Sequence, residues 1–155
     1  MVKIAPFCFC TNNVPGQALE PALDLAARCG FTRVELASID GISEQIDPEK
    51  VDAAYARQIA NLLRERGLQC YAVSGHCDLT DPAGLDRLLK KLEFAGRIGA
   101  RCLNTRAGLP ERMDAFLENV QVAAEAARRW GVQLNLESYG DIVGGASQVG
   151  PVFRR

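Results

Sequence analysis

The segment Trp130-Gly131-Val132-Gln133-Leu134-Asn135-Leu136-Glu137 decides the fold, because a helix-like stretch closes on a glycine and a short strand-like run follows at once. The same junction occurs at three earlier glycines, Gly30, Gly67 and Gly99. The four glycines are spaced by 37, 32 and 32 residues, the size of one strand-plus-helix unit. Glycine suits such a junction, since a helix often ends with a left-handed residue where a side chain is penalised. The recurrence therefore predicts a repeated strand–helix architecture.

Proline and aspartate mark the predicted starts of the later helices. Asp47-Pro48-Glu49 is interpreted as the start of the second helix, with the aspartate as N-cap and the proline at the first helical position. Asp81-Pro82 repeats the pattern for the third helix, and Pro110 is expected to open the fourth. The first helix is predicted over residues 19–29 and the first strand over residues 2–8. Each predicted helix is amphipathic, as expected of a layer between a sheet and water.

Strands that alternate with helices imply parallel strands joined by right-handed crossovers, hence an α/β fold. An open doubly wound sheet and a (β/α)8 barrel both satisfy that rule. Strands covered on both faces are usually unbroken apolar runs, whereas here Leu134 and Leu136 share one face while Asn135 and Glu137 share the other. A polar face toward the strand ends favours a partial (β/α)8 TIM barrel with about five parallel strands and four to five helices. Because a complete barrel takes roughly 250 residues, we expect residues 1–155 to be a single incomplete barrel domain, truncated within or near helix 5.

Composition argues against several classes of function. The 18 Lys and Arg residues nearly balance the 19 Asp and Glu residues, giving a net charge of -1, so no nucleic-acid or membrane partner is expected. The apolar opening is broken by Pro6 and is too short for a signal peptide or a membrane span, which predicts a cytoplasmic protein. The six cysteines contain no Cys-x-x-Cys pair and are interpreted as reduced, mostly buried thiols.

Two residues after predicted strands are candidates for chemistry. Glu137 ends the fifth strand on its polar face, where a carboxylate can ligate a hard divalent cation or move a proton. The alternative for Glu137 is an ion pair with a nearby arginine. His76, the only histidine, follows the third strand and either binds metal or a substrate hydroxyl, or else satisfies backbone groups of its loop.

The fourth strand and the last segment of the chain carry further candidates. Asn104 and Arg106 can grip a sugar hydroxyl, a carboxylate or a phosphate, or they can form a hydrogen-bonded strand end with an ion pair to Glu35. The glycines at 140, 144 and 145 precede a potential helix and suggest a phosphate cradle. Their spacing matches neither the dinucleotide fingerprint nor the P-loop, so a nucleotide site is not favoured.

Taken together, these segments resemble the xylose isomerase-like TIM barrel family of sugar isomerases and epimerases, which also contains endonuclease IV and its relatives (AP endonuclease family 2). The resemblance covers the whole chain. It rests on Arg33-Val34-Glu35-Leu36, Ser74-Gly75-His76, Asp78-Leu79-Thr80-Asp81, Asn104-Thr105-Arg106-Ala107-Gly108 and above all Leu134-Asn135-Leu136-Glu137-Ser138-Tyr139-Gly140-Asp141. The last of these is similar to the family's fifth strand, which ends in a metal-binding glutamate.

The resemblance implies a divalent-metal-dependent sugar or sugar-phosphate isomerase or epimerase that transfers a proton through an enediolate. Glu137 would be one metal ligand and one half of the acid/base pair, and the substrate would be bound by Glu35, His76, Asn104 and Arg106. The metal would be Mn, Mg, Co or Zn, and it would polarise the substrate carbonyl. The family's other ligands, an Asp, a His and a second Glu, come from later strands, so the 155-residue chain alone is expected to be inactive.

Two other functions stay open. A half barrel exposes its edge strands and its interior face, so the main alternative is a self-associating binding or scaffolding module without catalysis. An endonuclease IV-like DNA repair enzyme is less favoured, because such a site needs more histidine and acidic ligands and a basic groove.

Overall fold

Strands and helices alternate along the chain. The computed structural model describes residues 7–14, 16–137 and 142. Its elements are β1 (Cys8–Cys10), α1 (Leu19–Arg28), β2 (Arg33–Ala37), α2 (Ala53–Glu65), β3 (Gln69–Ser74), α3 (Pro82–Ile98), β4 (Cys102–Thr105), α4 (Met113–Trp130) and β5 (Gln133–Leu136). Short 3-10 helices occur at Thr11–Asn13, Pro48–Lys50 and Pro110–Arg112. The predicted alternation of strands and helices is confirmed.

The strands form one five-stranded sheet in the order β1-β2-β3-β4-β5. Every neighbouring pair is parallel. Each strand therefore lies beside the next one in the chain, and the sheet grows in a single direction. A doubly wound sheet reverses its strand order at a switch point, whereas the wall of a (β/α)8 barrel does not. The predicted fold class, a partial TIM barrel, is confirmed.

The junction glycines end their helices as predicted. Gly30, Gly67, Gly99 and Gly131 have φ values of 80, 67, 76 and 67°, all in the left-handed region. The Gly99 N–H donates back to carbonyl groups of the last turn of α3, which satisfies acceptors that the helix itself leaves free. Each glycine thus turns the chain from a helix into the strand that follows it.

The core lies between the sheet and the four helices. Fully buried residues of the sheet pack with fully or largely buried residues of each helix: Val34, Leu36, Val73 and Leu103 on the strands, and Leu23, Leu63, Leu92 and Phe116 on the helices. Strand side chains alternate between faces, so Glu35, Asn104 and Asn135 lie on the opposite side of the sheet. No described helix combines the length and the apolar character that a membrane span requires.

The predicted start of the second helix was wrong. Asp47 does cap a helix, but it is the short 3-10 helix at Pro48–Lys50, and the chain becomes extended again at Val51. The α-helix begins at Ala53, where the Asp52 side chain accepts a hydrogen bond from the Tyr55 N–H. Two good aspartate caps lie close together in the sequence, and only the second is followed by an uninterrupted helical run. The Asp81 cap of α3 is confirmed, because Asp81 accepts from the Ala83 N–H.

The first strand and the cysteines also differ from expectation. β1 extends to Cys10 and not only to Cys8, and residues 1–6 lie outside the described residues. Pro110 opens a 3-10 helix that leads directly into α4. All six cysteines are unpaired, but only Cys70 and Cys77 are buried, so the interpretation as mostly buried thiols was wrong.

Candidate functional site

A cavity of about 180 Å³ lies at the carboxyl ends of the strands. Every strand contributes to its lining through the segment that follows it: Asn12 after β1, Ile39, Asp40 and Ile42 after β2, His76 after β3, Arg106 after β4 and Glu137 after β5. Parallel strands bring their carboxyl ends to one edge of the sheet, which is where barrel enzymes build their active sites. Three of the predicted site residues, His76, Arg106 and Glu137, therefore meet in one cavity.

Glu137 is positioned by the sheet and faces His76. The Glu137 N–H donates to the Thr105 carbonyl oxygen over 2.8 Å, which continues the β4–β5 ladder one residue beyond the strand. Its side chain is 45% exposed, and its Oε2 lies 3.6 Å from Nε2 of His76. That separation is too long for a direct hydrogen bond but short enough for a strong electrostatic interaction. The backbone thus holds a carboxylate beside the imidazole while leaving it open to a ligand.

His76 is held in its neutral form. Burial lowers its pKa, the negative charges of Glu137 and Glu35 raise it, and the positive charges of Arg106 and Lys91 lower it. The net result is a pKa below the ordinary value of 6.5. At neutral pH the imidazole therefore carries one N–H donor and one free nitrogen, so it can donate to a substrate oxygen, accept a proton or ligate a metal.

Arg106 is exposed and lines the same cavity. Within the part of the chain that the structure describes, its guanidinium makes no hydrogen bond or ion pair, and the predicted alternative of an ion pair with Glu35 is not formed there. A guanidinium presents five donors in a planar fork that suits carboxylate and phosphate groups. No described residue occupies the donors of the Arg106 guanidinium, so they can bind a ligand.

Glu35 and Asn104 lie below the cavity, within the strands. Asn104 Nδ2 donates to Glu35 Oε1 over 2.7 Å, and Asn135 Nδ2 donates to Asn104 Oδ1 over 2.9 Å. The first contact passes over β3, where the residue paired with Glu35 is the small Ala72. Gln133 Nε2 adds a further hydrogen bond to this series by donating to Asn135 Oδ1 over 2.7 Å. The network ties β2, β4 and β5 together, and neither Glu35 nor Asn104 is among the residues that line the cavity.

The sequence reasoning missed Asp40. This residue follows β2 as His76 follows β3, and that shared position was the available signal. Asp40 Oδ1 accepts from Lys91 Nζ over 2.5 Å and from Arg87 Nη2 over 3.0 Å. Partial burial alone would raise the pKa of Asp40, but the two hydrogen bonds and the charges of Arg87 and Lys91 outweigh that effect and lower it below its usual range. Asp40 is thus an ionised carboxylate in the wall of the cavity.

Two side chains of the cavity are of the type that binds divalent cations. Glu137 offers a partly exposed carboxylate, and His76 offers a neutral imidazole, and both are common ligands of such ions. Among the described residues, no group of three or more His, Cys, Asp or Glu side chains is placed to hold a metal. Glu137 therefore fits as a single ligand, while the described residues do not form a complete site. The predicted loop at 138–141 and the glycines at 140, 144 and 145 lie outside the described residues.

The chain forms a parallel β/α sheet with a polar cavity at the carboxyl ends of its strands. This arrangement defines it as part of a (β/α) barrel, a fold that many enzymes share. The chain belongs to the xylose isomerase-like TIM barrel family, whose sequence pattern matches residues 23–146. The predicted family is thereby confirmed. No curated protein sequence matches the chain.

Several solved structures share the fold of this chain. A xylose isomerase-like TIM barrel protein from Mycobacterium smegmatis, crystallised with magnesium, superposes with a TM-score of 0.77 at 15% identity, over 96% of this chain and 60% of that one. The IOLI protein with a bound zinc atom gives 0.69 at 14% identity, over 97% and 58%. The probable 3-DHS dehydratase AsbF from Bacillus anthracis gives 0.71 at 12% identity, over 97% and 58%. This chain thus spans about 60% of the length of the first of these structures.

Proposed function

We propose that this chain forms the substrate-binding wall of a divalent-metal-dependent isomerase or epimerase that acts on a sugar or a sugar phosphate. The observation that carries the proposal is the cavity at the carboxyl edge, in which Glu137 Oε2 lies 3.6 Å from the neutral His76 while Arg106 stands beside them. The magnesium and zinc in two structures of related fold support a metal-dependent reaction.

In the proposed reaction, Glu137 moves the proton on the carbon beside the substrate carbonyl. Its backbone is held by Thr105, and its exposed carboxylate can reach into the cavity. His76 donates its N–H to a substrate oxygen, and Arg106 binds a hydroxyl, carboxylate or phosphate group of the substrate. Glu137 would also hold a divalent cation, which would polarise the carbonyl. Removal and return of the proton through an enediolate then give isomerisation or epimerisation.

We further propose that residues 1–155 are one incomplete barrel domain. The remaining metal ligands and a second glutamate would come from strands beyond this chain, in keeping with the 60% of the first related structure that it spans. The isolated chain is therefore expected to turn over no ketose. Measured turnover of a ketose by this chain, abolished by Glu137→Gln, would contradict that expectation.

The metal part of the proposal can be tested with Mn²⁺ and the single histidine. A paramagnetic ion bound at Glu137 should broaden the ring resonances of His76 selectively in an NMR titration. Glu137→Gln should abolish that broadening, because it removes the only proposed ligand charge. Glu118→Gln, a change at an exposed glutamate of α4 that does not line the cavity, is the matched control. Equal broadening in the wild-type chain and in Glu137→Gln would refute Glu137 as a ligand.

The main alternative, a self-associating module without catalysis, is favoured by one feature. β1 and β5 are the end strands of the described sheet, so each has one partner strand there. Unpaired strand edges are templates for pairing with another chain. Sedimentation measurements over a range of concentrations distinguish the two: a concentration-dependent dimer supports the module, and a monomer at all concentrations counts against it.

A further inference from the structure

Among the described residues, the carboxylate of Asp40 has one oxygen bonded to the protein and one oxygen without a partner, and the residue lines the cavity. Within the described part of the chain, its hydrogen bonds and ion pairs all go to Oδ1, which receives Lys91 Nζ and Arg87 Nη2. Oδ2 has no such partner, and the side chain is 28% exposed and lines the cavity. An ionised carboxylate can only accept hydrogen bonds. The cavity wall therefore presents an unused acceptor.

The position of that acceptor is fixed from two sides. The Asp40 N–H donates to the His76 carbonyl oxygen over 3.2 Å, which joins the segment after β2 to the segment after β3. Lys91 Nζ lies 3.3 Å from the same carbonyl oxygen, and the Lys91 side chain is 0% exposed. A fully buried ammonium keeps its position only if its charge is compensated, and Asp40 is the carboxylate that does so. The buried lysine thus holds Asp40 in place relative to His76.

The surrounding charges indicate what kind of donor this oxygen receives. Arg87 also pairs with Glu44 over 2.8 Å and lies 3.9 Å from Glu49, so Asp40 belongs to a larger network of ion pairs. Asp40 itself already has two cationic partners, Arg87 and Lys91, so it gains little from a third cation. A neutral hydroxyl, by contrast, gains a charge-assisted hydrogen bond without any cost from unbalanced charge.

We propose that Asp40 is a substrate-binding residue that accepts a hydroxyl hydrogen from a polyhydroxylated ligand, with Lys91 acting as the positioning residue behind it. The inference rests on the proposed function, since it names a contact within the same cavity. It adds a requirement to the ligand, which must present a hydroxyl donor at Asp40 as well as an acceptor or anionic group at Arg106.

The test measures binding of D-fructose and of its 6-phosphate to the chain by NMR, with the His76 ring resonances as reporter. Asp40→Asn alone would leave Lys91 buried without a counter-charge and is liable to unfold, so the informative variant is the double change Asp40→Asn with Lys91→Met. We expect this variant to remain folded and to bind at least about tenfold more weakly, because it loses a hydrogen bond to a charged group. Glu44→Gln is the matched control: it changes the same charge cluster outside the cavity, and its affinity should stay within about twofold of wild type.

Unchanged affinity in a folded double variant would overturn the role of Asp40 and leave the proposed function standing. If the double variant does not fold, Lys91→Met alone serves instead: it removes the positioning ammonium but keeps the Asp40 carboxylate and its bond to Arg87, so weaker binding supports the proposal and unchanged affinity overturns it. If neither D-fructose nor its 6-phosphate binds to the wild-type chain, the proposed function is overturned, and this inference with it.

Discussion

At the scale of single residues, the charged groups in and around the cavity act together on the pKa of His76. Burial lowers its pKa, Glu137 and Glu35 oppose that shift, and Arg106 and Lys91 reinforce it. Because His76 is the only histidine in the chain, its titration can be followed without assignment ambiguity. Each neighbouring side chain can therefore be substituted in turn, and the direction in which the pKa of His76 shifts shows its electrostatic effect.

Two substitutions should move that pKa in opposite directions. Glu137→Gln removes a negative charge that stabilises the imidazolium, so the pKa of His76 should fall further. Arg106→Gln removes a positive charge that destabilises it, so the pKa should rise. An NMR pH titration of the His76 ring measures both, with Glu118→Gln as the control that should leave the value unchanged. An unchanged pKa in Glu137→Gln would mean that the 3.6 Å contact is not made in solution.

The same depressed pKa makes the stability of the fold depend on pH. The unfolded chain binds a proton at His76 with the ordinary pKa of 6.5, and the folded chain binds it only at lower pH. The unfolded state therefore holds more protons in that window, so stability is fully present above pH 6.5 and is lost as the pH falls from there toward the folded-state pKa. Urea unfolding at a series of pH values should show this decrease. His76→Asn should flatten it, and an unchanged slope in that variant would assign the pH dependence to other groups.

At the scale of elements, the start of α3 is locked to the segment before it. Asp78 Oδ1 accepts from the Thr80 N–H over 2.8 Å and from the Thr80 hydroxyl over 2.6 Å. Gly84 in the first turn of α3 packs directly on this segment, because a Cβ built there would lie 2.0 Å from the Asp78 carbonyl oxygen. The contact is with backbone, which cannot rotate away. Helix α3, which carries Arg87 and Lys91, is therefore placed by a close approach that only glycine allows.

Gly84→Ala should therefore be far more damaging than a substitution at a junction glycine. Alanine at Gly84 forces α3 and residue Asp78 apart, at a cost of about 3 kcal/mol or more in the free energy of unfolding. Gly99→Ala meets no atom within 4 Å and is penalised only for its positive φ of 76°, which costs about 1–2 kcal/mol. Urea unfolding of both variants measures the difference. Equal destabilisation would show that the contact at Gly84 is relieved by a small shift of α3.

At the scale of the whole molecule, the sheet has a protected centre and two ends. β3 is paired on both sides, whereas β1 and β5 are the end strands of the described sheet. Local opening is cheapest where the fewest neighbours must be separated. The stability of the chain should therefore be graded across the sheet rather than uniform.

Native-state hydrogen exchange should reveal this gradient. We expect the amides of Val73 in β3 and Leu103 in β4 to be the best protected, because both side chains are fully buried and both strands are paired on two sides. Amides of β1 and β5 should exchange faster. Protection of β5 equal to that of β3 would contradict the prediction for a monomer and would indicate that another chain covers that edge, as the self-associating alternative requires.

Some boundaries were predictable and others were not, for local physical reasons. The junction glycines and the Asp81 cap act through bonds within a few residues, and their positions were predicted correctly. The start of α2 was misplaced because Asp47 and Asp52 are both competent caps, and local chemistry does not say which one begins the longer helix. The roles of Glu35, His76, Asn104, Arg106 and Glu137 stay predictions, although three of them do line one cavity.

The sequence by itself determined the alternating order of strands and helices, the parallel sheet and the family, because helix-ending glycines and hydrophobic periodicity are local features of the sequence. Only the tertiary structure decided which polar side chains share the cavity. Asp40 and Lys91 are 51 residues apart, and their pairing depends on how α3 packs across the segment after β2. Likewise, Asn104 donates to Glu35, 69 residues away, across β3, where the residues in register with the two are the small Ala72 and Ser74. Such contacts depend on packing in three dimensions, and no local pattern encodes them.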